Sequence, residues 1–222
     1  MKLLIFDMDG VLVDPTYSYR VTTIETIAHF SGRRITQEKI VIMKNRGGYN
    51  DDCVLAFDVL RELGIEVDYE QLCLQFHKLF WGTAEDGFIS QESWLVADGV
   101  LERLETINRL AIYTGRPTRA ARFALSRFAA DVRFDPVITS DLIENQKPAP
   151  DGLLRVLEGA PGCEATYIGD NIDDARCARA AGVSFVGVAA RNLYQRDEIV
   201  QLFQAEGAQV VVESVNELES AL

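Results

Sequence analysis

Six short apolar runs bounded by turn residues constrain this chain more than any other feature. They are Lys2 to Asp7, Arg109 to Thr114, Pro136 to Thr139, Ala165 to Gly169, Val183 to Val188 and Gln209 to Val212. A continuous apolar run of this length suits a strand buried on both faces of a parallel sheet. Helical spacing fills intervals between and around them, at Val100 to Glu105, Pro117 to Ala129, Asp151 to Glu158, Asp173 to Ala181 and Tyr194 to Ala205. Strand and helix alternate, so the expected class is α/β, a doubly wound and mainly parallel Rossmann-like sheet.

The alternation breaks right after the first run. From about Pro15 to Gln91 no convincing strand pattern occurs, and the spacing predicts four helices. The first takes Asp14 as N-cap and Pro15 as its first helical residue, with Val21, Ile24, Ile27 and Ala28 on one face. The second follows Thr36. The third starts at Asn50, carries Asp51 and Asp52 in its first turn, where the helix dipole favours them, and stops at Gly64. The fourth opens at Asp68 and carries Leu72, Phe76, Leu79 and Phe80. The expected organisation is an α/β core of residues 1–14 and 92–222 with a helical cap subdomain, 15–91, inserted after the first strand. A chain of 222 residues has room for one full core and such an appendage.

Charge narrows the partners. The 22 Lys and Arg against 34 Asp and Glu leave a net charge of −12, which repels nucleic acid and anionic membranes at long range. The expectation is no nucleic-acid partner and no membrane partner. The same field repels phosphorylated substrates, so a phosphate site here needs local cations or a metal. Cys53, Cys73, Cys163 and Cys177 show no C-x-x-C spacing and read as reduced thiols. The N-terminal apolar run is interrupted by Asp7, too early for a signal-peptide core, and no stretch approaches membrane-spanning length. A cytoplasmic protein, monomer or homodimer, is the expectation.

In an open parallel sheet, function gathers where strand carboxyl ends meet the following loops. Four polar clusters fall at such ends: Asp7-Met8-Asp9-Gly10, Thr114-Gly115-Arg116, Lys147-Pro148-Ala149-Pro150 and Gly169-Asp170-Asn171-Ile172-Asp173-Asp174. Each alone has a plainer reading. The first resembles the opening of a calcium loop, but Ser18 stands where an EF-hand needs Glu. Thr114-Gly115 is an ordinary turn, Lys147 a solvated cation, and the last cluster a helix N-cap. Order and placement together carry the functional reading.

The four clusters, in this order, resemble the four motifs of the haloacid-dehalogenase-like hydrolases, over residues 3 to about 188. The stretch GDNIDDARCARAAG, Gly169 to Gly182, is especially similar to the fourth motif of the phosphoglycolate-phosphatase-like group. That resemblance implies a mobile helical cap between the first and second motifs. It also implies a phosphotransfer enzyme, because both aspartates of the first motif are present.

The residue types fit that chemistry. Phosphoryl transfer asks a protein to position groups and neutralise charge. Magnesium prefers hard oxygen ligands, so Mg2+ is the expected cofactor, with Asp7 and Asp170 as carboxylate ligands and Asp9 offering its backbone carbonyl. Lys147, the Thr114 hydroxyl and the Gly115 N–H bind the remaining phosphate oxygens. Asp7 is the expected nucleophile and Asp9 the acid and base. Asp174, which has the family's spacing to Gly182, orders metal-bound water, with Asp173 the other choice. Arg116 joins the phosphate site or caps a loop.

Substrate choice falls to the turn from Lys44 to Asn50, where Gly47 and Gly48 bring backbone close to a ligand and Lys44 and Arg46 can bind an acidic group. Tyr17, Tyr19 and Arg20 are further candidate contacts. His29 and His77 have no ligand partner at a convincing spacing, and Trp81 and Trp94 read as packing residues. The expected reaction is hydrolysis of a small phosphorylated metabolite. A sugar phosphomutase, a phosphonatase using Lys44, and a non-enzymatic ligand-binding protein are the alternatives, while Asp9 argues against a dehalogenase.

Overall fold

The computed structural model describes residues 2–222. Its contacts divide the chain into two compact units, Met1–Val13 with Trp94–Leu222, and Asp14–Ser93. The strands are β1 (Lys2–Phe6), β2 (Val13–Asp14), β3 (Ser93–Trp94), β4 (Asn108–Tyr113), β5 (Phe134–Ile138), β6 (Ala165–Gly169), β7 (Ser184–Val188) and β8 (Val210–Val212). The helices of the Asp14–Ser93 unit are α1 (Val21–Ser31), α2 (Gln37–Arg46), α3 (Asp52–Glu62) and α4 (Tyr69–Trp81). Those of the other unit are α5 (Val100–Ile107), α6 (Thr118–Phe128), α7 (Asp151–Glu158), α8 (Ile172–Ala181), α9 (Arg196–Ala205) and α10 (Leu218–Ala221).

Six strands form one parallel sheet in the order β5-β4-β1-β6-β7-β8, and β2 pairs with β3 in a separate two-stranded ribbon. The chain runs outward from β1 through β4 to β5, then returns to the other side of β1 and runs outward again through β6, β7 and β8. Strand β1 is therefore central, and its carboxyl end opens where the strand order reverses, the usual ligand crevice of a doubly wound sheet. Its side chains alternate between the two faces. Leu4 and Phe6 enter a core with Val100, Leu104, Ala121, Ala124 and Leu218, while Leu3 and Ile5 enter another with Leu153, Val156, Ile172, Ile199 and Phe203. Helices α5, α6 and α10 thus cover one face and α7, α8 and α9 the other, which is why β1 reads as an unbroken apolar run.

In the helical unit, side-chain caps set the helix starts. Thr36 accepts from the Lys39 N–H, Asp51 from Cys53 and Asp68 from Gln71. Asp51 is the cap of α3, so that helix begins at Asp52 rather than at Asn50. Phe76 and Phe80 of α4 are buried, and the Tyr19 ring lies 4.4 Å from that of Phe80.

The first helix departs from the simple periodicity. Asp14 accepts from the Thr16 N–H, and the chain then makes a π-helical turn, Thr16–Arg20, before α1. A π turn takes extra residues per turn and rotates the face that follows. The buried set of α1 is Thr22, Thr23, Thr26 and Ile27, so of the expected face, Val21, Ile24, Ile27 and Ala28, only Ile27 is fully buried. Thr22 and Thr23 tolerate burial because their hydroxyls donate to the carbonyls of Ser18 and Tyr19.

Candidate active site

The loop after β1 is folded by its own backbone. The Asp7 N–H donates to Ile168 O at 2.8 Å, extending the β1–β6 pairing, and Met8 O accepts from both Leu12 and Val13 at 2.8 Å. Gly10 sits at φ +72°, in the left-handed region that favours glycine, and any Cβ there would collide with the Asp170 carboxylate. Glycine at position 10 therefore lets the carboxylate of the β6 end approach the loop of the β1 end. Gly169 does the same for Asp174, whose side chain occupies the space that a Cβ at 169 would take.

Helix α8 begins with a reciprocal cap. Asn171 Oδ1 accepts from the N–H groups of Asp173 and Asp174, and Asp174 Oδ2 accepts from those of Asp170 and Asn171, both at 3.1 Å. The cap fixes Asp174 with its other oxygen, Oδ1, turned to the Tyr167 hydroxyl at 2.9 Å and the Lys147 ammonium at 2.8 Å. Lys147 Nζ lies 3.0 Å from Asp7 Oδ1 as well, and 5.0 and 5.4 Å from the centres of the Tyr113 and Tyr167 rings. An ammonium with no exposed side-chain surface is held there by two carboxylates and two ring faces.

Asp7, Asp170 and Asp174 each bring a carboxylate oxygen within 4.8 Å of the others. Asp173, equally buried, lies outside this cluster and 3.7 Å from Arg176. Of the two adjacent aspartates, the one that spacing to Gly182 favoured, Asp174, is the one in the cluster.

Burial pushes the Asp7 carboxyl up to about 7 against the pull of Lys147, with Asp174 and Asp9 adding to the rise. Burial opposes the Lys147 charge too, but Asp174 and Asp7 outweigh it and hold the ammonium well above its usual value. Burial and the adjacent Asp174 raise the Tyr167 phenol, which keeps its proton to donate.

The Thr114-Gly115-Arg116 turn follows β4, the other neighbour of β1. Thr114 is fully buried, and its hydroxyl oxygen accepts from the Arg116 N–H at 3.2 Å. The Arg116 side chain, expected at the phosphate or on a loop, lies on Asp9. Nε donates to Oδ2 at 3.0 Å and a terminal nitrogen to Oδ1 at 2.6 Å. Lys44 and Arg46 belong to the helical unit, in the last turn of α2; Lys44 is 3.2 Å from Asp52, and Arg46 is exposed, 3.9 Å from Glu62.

Tyr113, Tyr167 and Asn171 were absent from the sequence-based set. The two tyrosines are hidden in apolar strand patterns. Asn171 had a signal, since Asn followed three residues later by Asp fits a reciprocal cap.

A model of the haloacid dehalogenase-like hydrolase family matches residues 4–188. The chain belongs to that family. A protein of Phytophthora nicotianae named imidazoleglycerol-phosphate dehydratase is 30% identical over 217 residues, covering 93% of this chain and 47% of that protein. The chain therefore spans about half the length of that relative. A phosphoglycolate phosphatase of Pseudomonas syringae pv. syringae is 27% identical over 204 residues, covering 85% of this chain and 69% of the relative. Among solved structures, a phosphonoacetaldehyde hydrolase-like protein from Oleispira antarctica superposes with a TM-score of 0.75 at 18% identity, covering 99% of this chain and 90% of that one. At that identity the likeness concerns the fold.

The donor set of this haloacid dehalogenase-like hydrolase suits a hard divalent cation. Its clustered donors are all carboxylate oxygens. Four carboxylates, Asp7, Asp9, Asp170 and Asp174, face two cations, Lys147 and Arg116, leaving net negative charge in a largely buried site.

Proposed function

We propose that the chain is a magnesium-dependent phosphatase that hydrolyses small phosphorylated metabolites through an aspartyl-phosphate on Asp7. The observation that carries this reading is the Asp7 carboxylate, buried at the reversal point of the sheet, 3.0 Å from Lys147 and clustered with Asp170 and Asp174. Asp7 and Asp170, with Asp174 behind them, would hold the cation. Bound there, Mg2+ supplies charge neutralisation for the phosphate oxygens and keeps Asp7 ionised.

Asp7 attacks phosphorus; the bond from Asp7 to phosphorus forms as the bond to the leaving oxygen breaks. Asp9 donates its proton to that oxygen. In the second half, water attacks the aspartyl-phosphate, Asp9 takes a proton from it, and inorganic phosphate leaves as Asp7 is restored. Lys147 and the Thr114-Gly115 turn offset charge on the phosphate. Asp9 supports phosphate-ester cleavage over dehalogenation, since a halide leaves without the proton that an alkoxide needs.

Lys44 and Arg46, which face Asp52 and Glu62 within the helical unit, remain the sequence-based candidates for contact with an acidic or polar leaving portion. The relatives' names supply two substrate classes to try, phosphoglycolate and phosphate monoesters bearing an imidazole ring. The reading includes a cytoplasmic location, supported by the four free thiols, and action as a monomer or homodimer.

The test is phosphate release from a panel of phosphorylated metabolites in Mg2+. Wild type is expected to turn over at least one class, and Asp7→Asn to lose roughly 10³-fold or more. Turnover retained by Asp7→Asn, or no release from any member by wild type, would sink the reading.

A further inference from the structure

We infer that Arg116 is a positioning residue for Asp9, locking the acid and base of the reaction in one orientation rather than binding the substrate phosphate. The inference rests on the phosphatase reading above. Three observations carry it. The two oxygens of Asp9 are taken by two different nitrogens of one guanidinium, at 3.0 and 2.6 Å, the bidentate pairing that fixes a carboxylate's plane as well as its place. The burial is lopsided, with Arg116 offering none of its side-chain surface to solvent and Asp9 keeping 31%. The enclosed cation thus holds a carboxylate whose other side stays open.

The third observation is the anchoring of Arg116 itself. Its N–H donates to Thr114 Oγ1 at 3.2 Å and its carbonyl accepts from the Ser140 N–H at 3.0 Å. Pro117 follows it and disfavours the helical conformation at position 116. The backbone that launches the guanidinium is therefore held on both sides. A displacement of about 1 Å at a reacting group costs on the order of 100-fold in rate, so the side-chain orientation of Asp9 matters to turnover. Each oxygen of Asp9 has a second lone pair that the guanidinium leaves available. Fixed in this way, the protonated carboxyl can give its proton to the leaving oxygen from that free position, and the carboxylate left behind can take one from water there without turning away.

Lysine in place of Arg116 keeps the charge but not the fork. Arg116→Lys is expected to lower kcat by about 10- to 100-fold with KM within roughly 3-fold of wild type, to keep a wild-type circular dichroism spectrum, and to bind Mg2+ as before. On this inference Arg116 acts through Asp9, so Arg116→Lys placed on Asp9→Asn is expected to change kcat by less than about 2-fold. Millimolar guanidinium added to Arg116→Ala is expected to restore part of kcat. A KM rise with kcat unchanged would make Arg116 a phosphate ligand and overturn the inference. Additive losses in the double variant would overturn it too, while wild-type turnover leaves the phosphatase reading standing. If wild type releases no phosphate from any panel member, that reading fails and the inference falls with it. The Arg116 Nε–H resonance, compared between wild type and Asp9→Asn, then still reports whether the pair exists in solution.

Discussion

At Asp7 two requirements oppose each other. The nucleophile needs its charge, yet it lies where burial pushes its carboxyl up to about 7, despite Lys147 at 3.0 Å. A carboxyl raised on folding binds its proton more tightly in the folded chain than in the unfolded one, so stability falls as pH climbs from about 4 to about 7. In metal-free buffer, Asp7→Asn is therefore expected to melt above wild type at pH 8 and to lose that advantage near pH 4. Saturating Mg2+ should reverse the order at pH 8, raising the wild-type Tm and leaving that of Asp7→Asn nearly unmoved. Scanning calorimetry at the two pH values, with and without Mg2+, checks both parts. A Tm of Asp7→Asn below wild type in metal-free buffer at pH 8 would contradict the assigned penalty. Asp7, Lys147, Asp170 and Asp174 were named from sequence because they are types whose chemistry is limited, and the fold brings them together. The Arg116–Asp9 pairing was not, since its partners are 107 residues apart and nothing local aims one at the other.

Helix α8 shows how an element positions a site. Its cap presents Asp174 to Lys147 and Tyr167 while tying down the backbone of Asp170. Asn171→Ala removes the acceptor for the N–H groups of Asp173 and Asp174, and is expected to cost about 1 kcal/mol of stability. It should weaken Mg2+ binding by roughly 10-fold as well, because the residues that orient the ligands lose their hold. Isothermal titration with Mg2+ beside thermal melts reads both, and a stability loss with unchanged Mg2+ affinity would show that the cap serves the helix alone. Elements were the most legible scale, with β6 at Ala165–Gly169 and α7 at Asp151–Glu158 coinciding with their apolar and amphipathic patterns. The first helix was less so. Its start was signalled by Asp14, but a π turn at Thr16–Arg20 precedes the α-helix, and threonines whose hydroxyls bond to backbone carbonyls are buried where aliphatic residues were expected. Hydropathy spacing does not register that a threonine hydroxyl can be satisfied by the carbonyl four residues before it.

For the whole molecule, a net charge of −12 means that an anionic substrate approaches against a repulsive field. Raising ionic strength from about 10 to 200 mM at saturating Mg2+ shortens that field's reach from roughly 30 Å to less than 10 Å. It is expected to raise kcat/KM for a phosphate monoester about 2- to 5-fold with kcat unchanged. Steady-state kinetics at the two salt levels tests this, and a fall in kcat/KM would mean that the local cations govern approach. The sequence by itself determined the α/β class and the interruption after the first strand, and it named the residues now proposed for phosphate chemistry. Those follow from short-range rules, in which apolar runs make strands, periodic faces make helices, and Asp or Lys at a strand end faces the loops. Only the tertiary structure decided which charges meet. Asp174 rather than Asp173 joins Asp7 and Asp170, Lys147 is shared between Asp7 and Asp174 beneath two tyrosine rings, and Arg116 closes on Asp9. Such pairings depend on distances of a few ångströms between residues from four different loops, which the strand order of the sheet sets and local spacing does not.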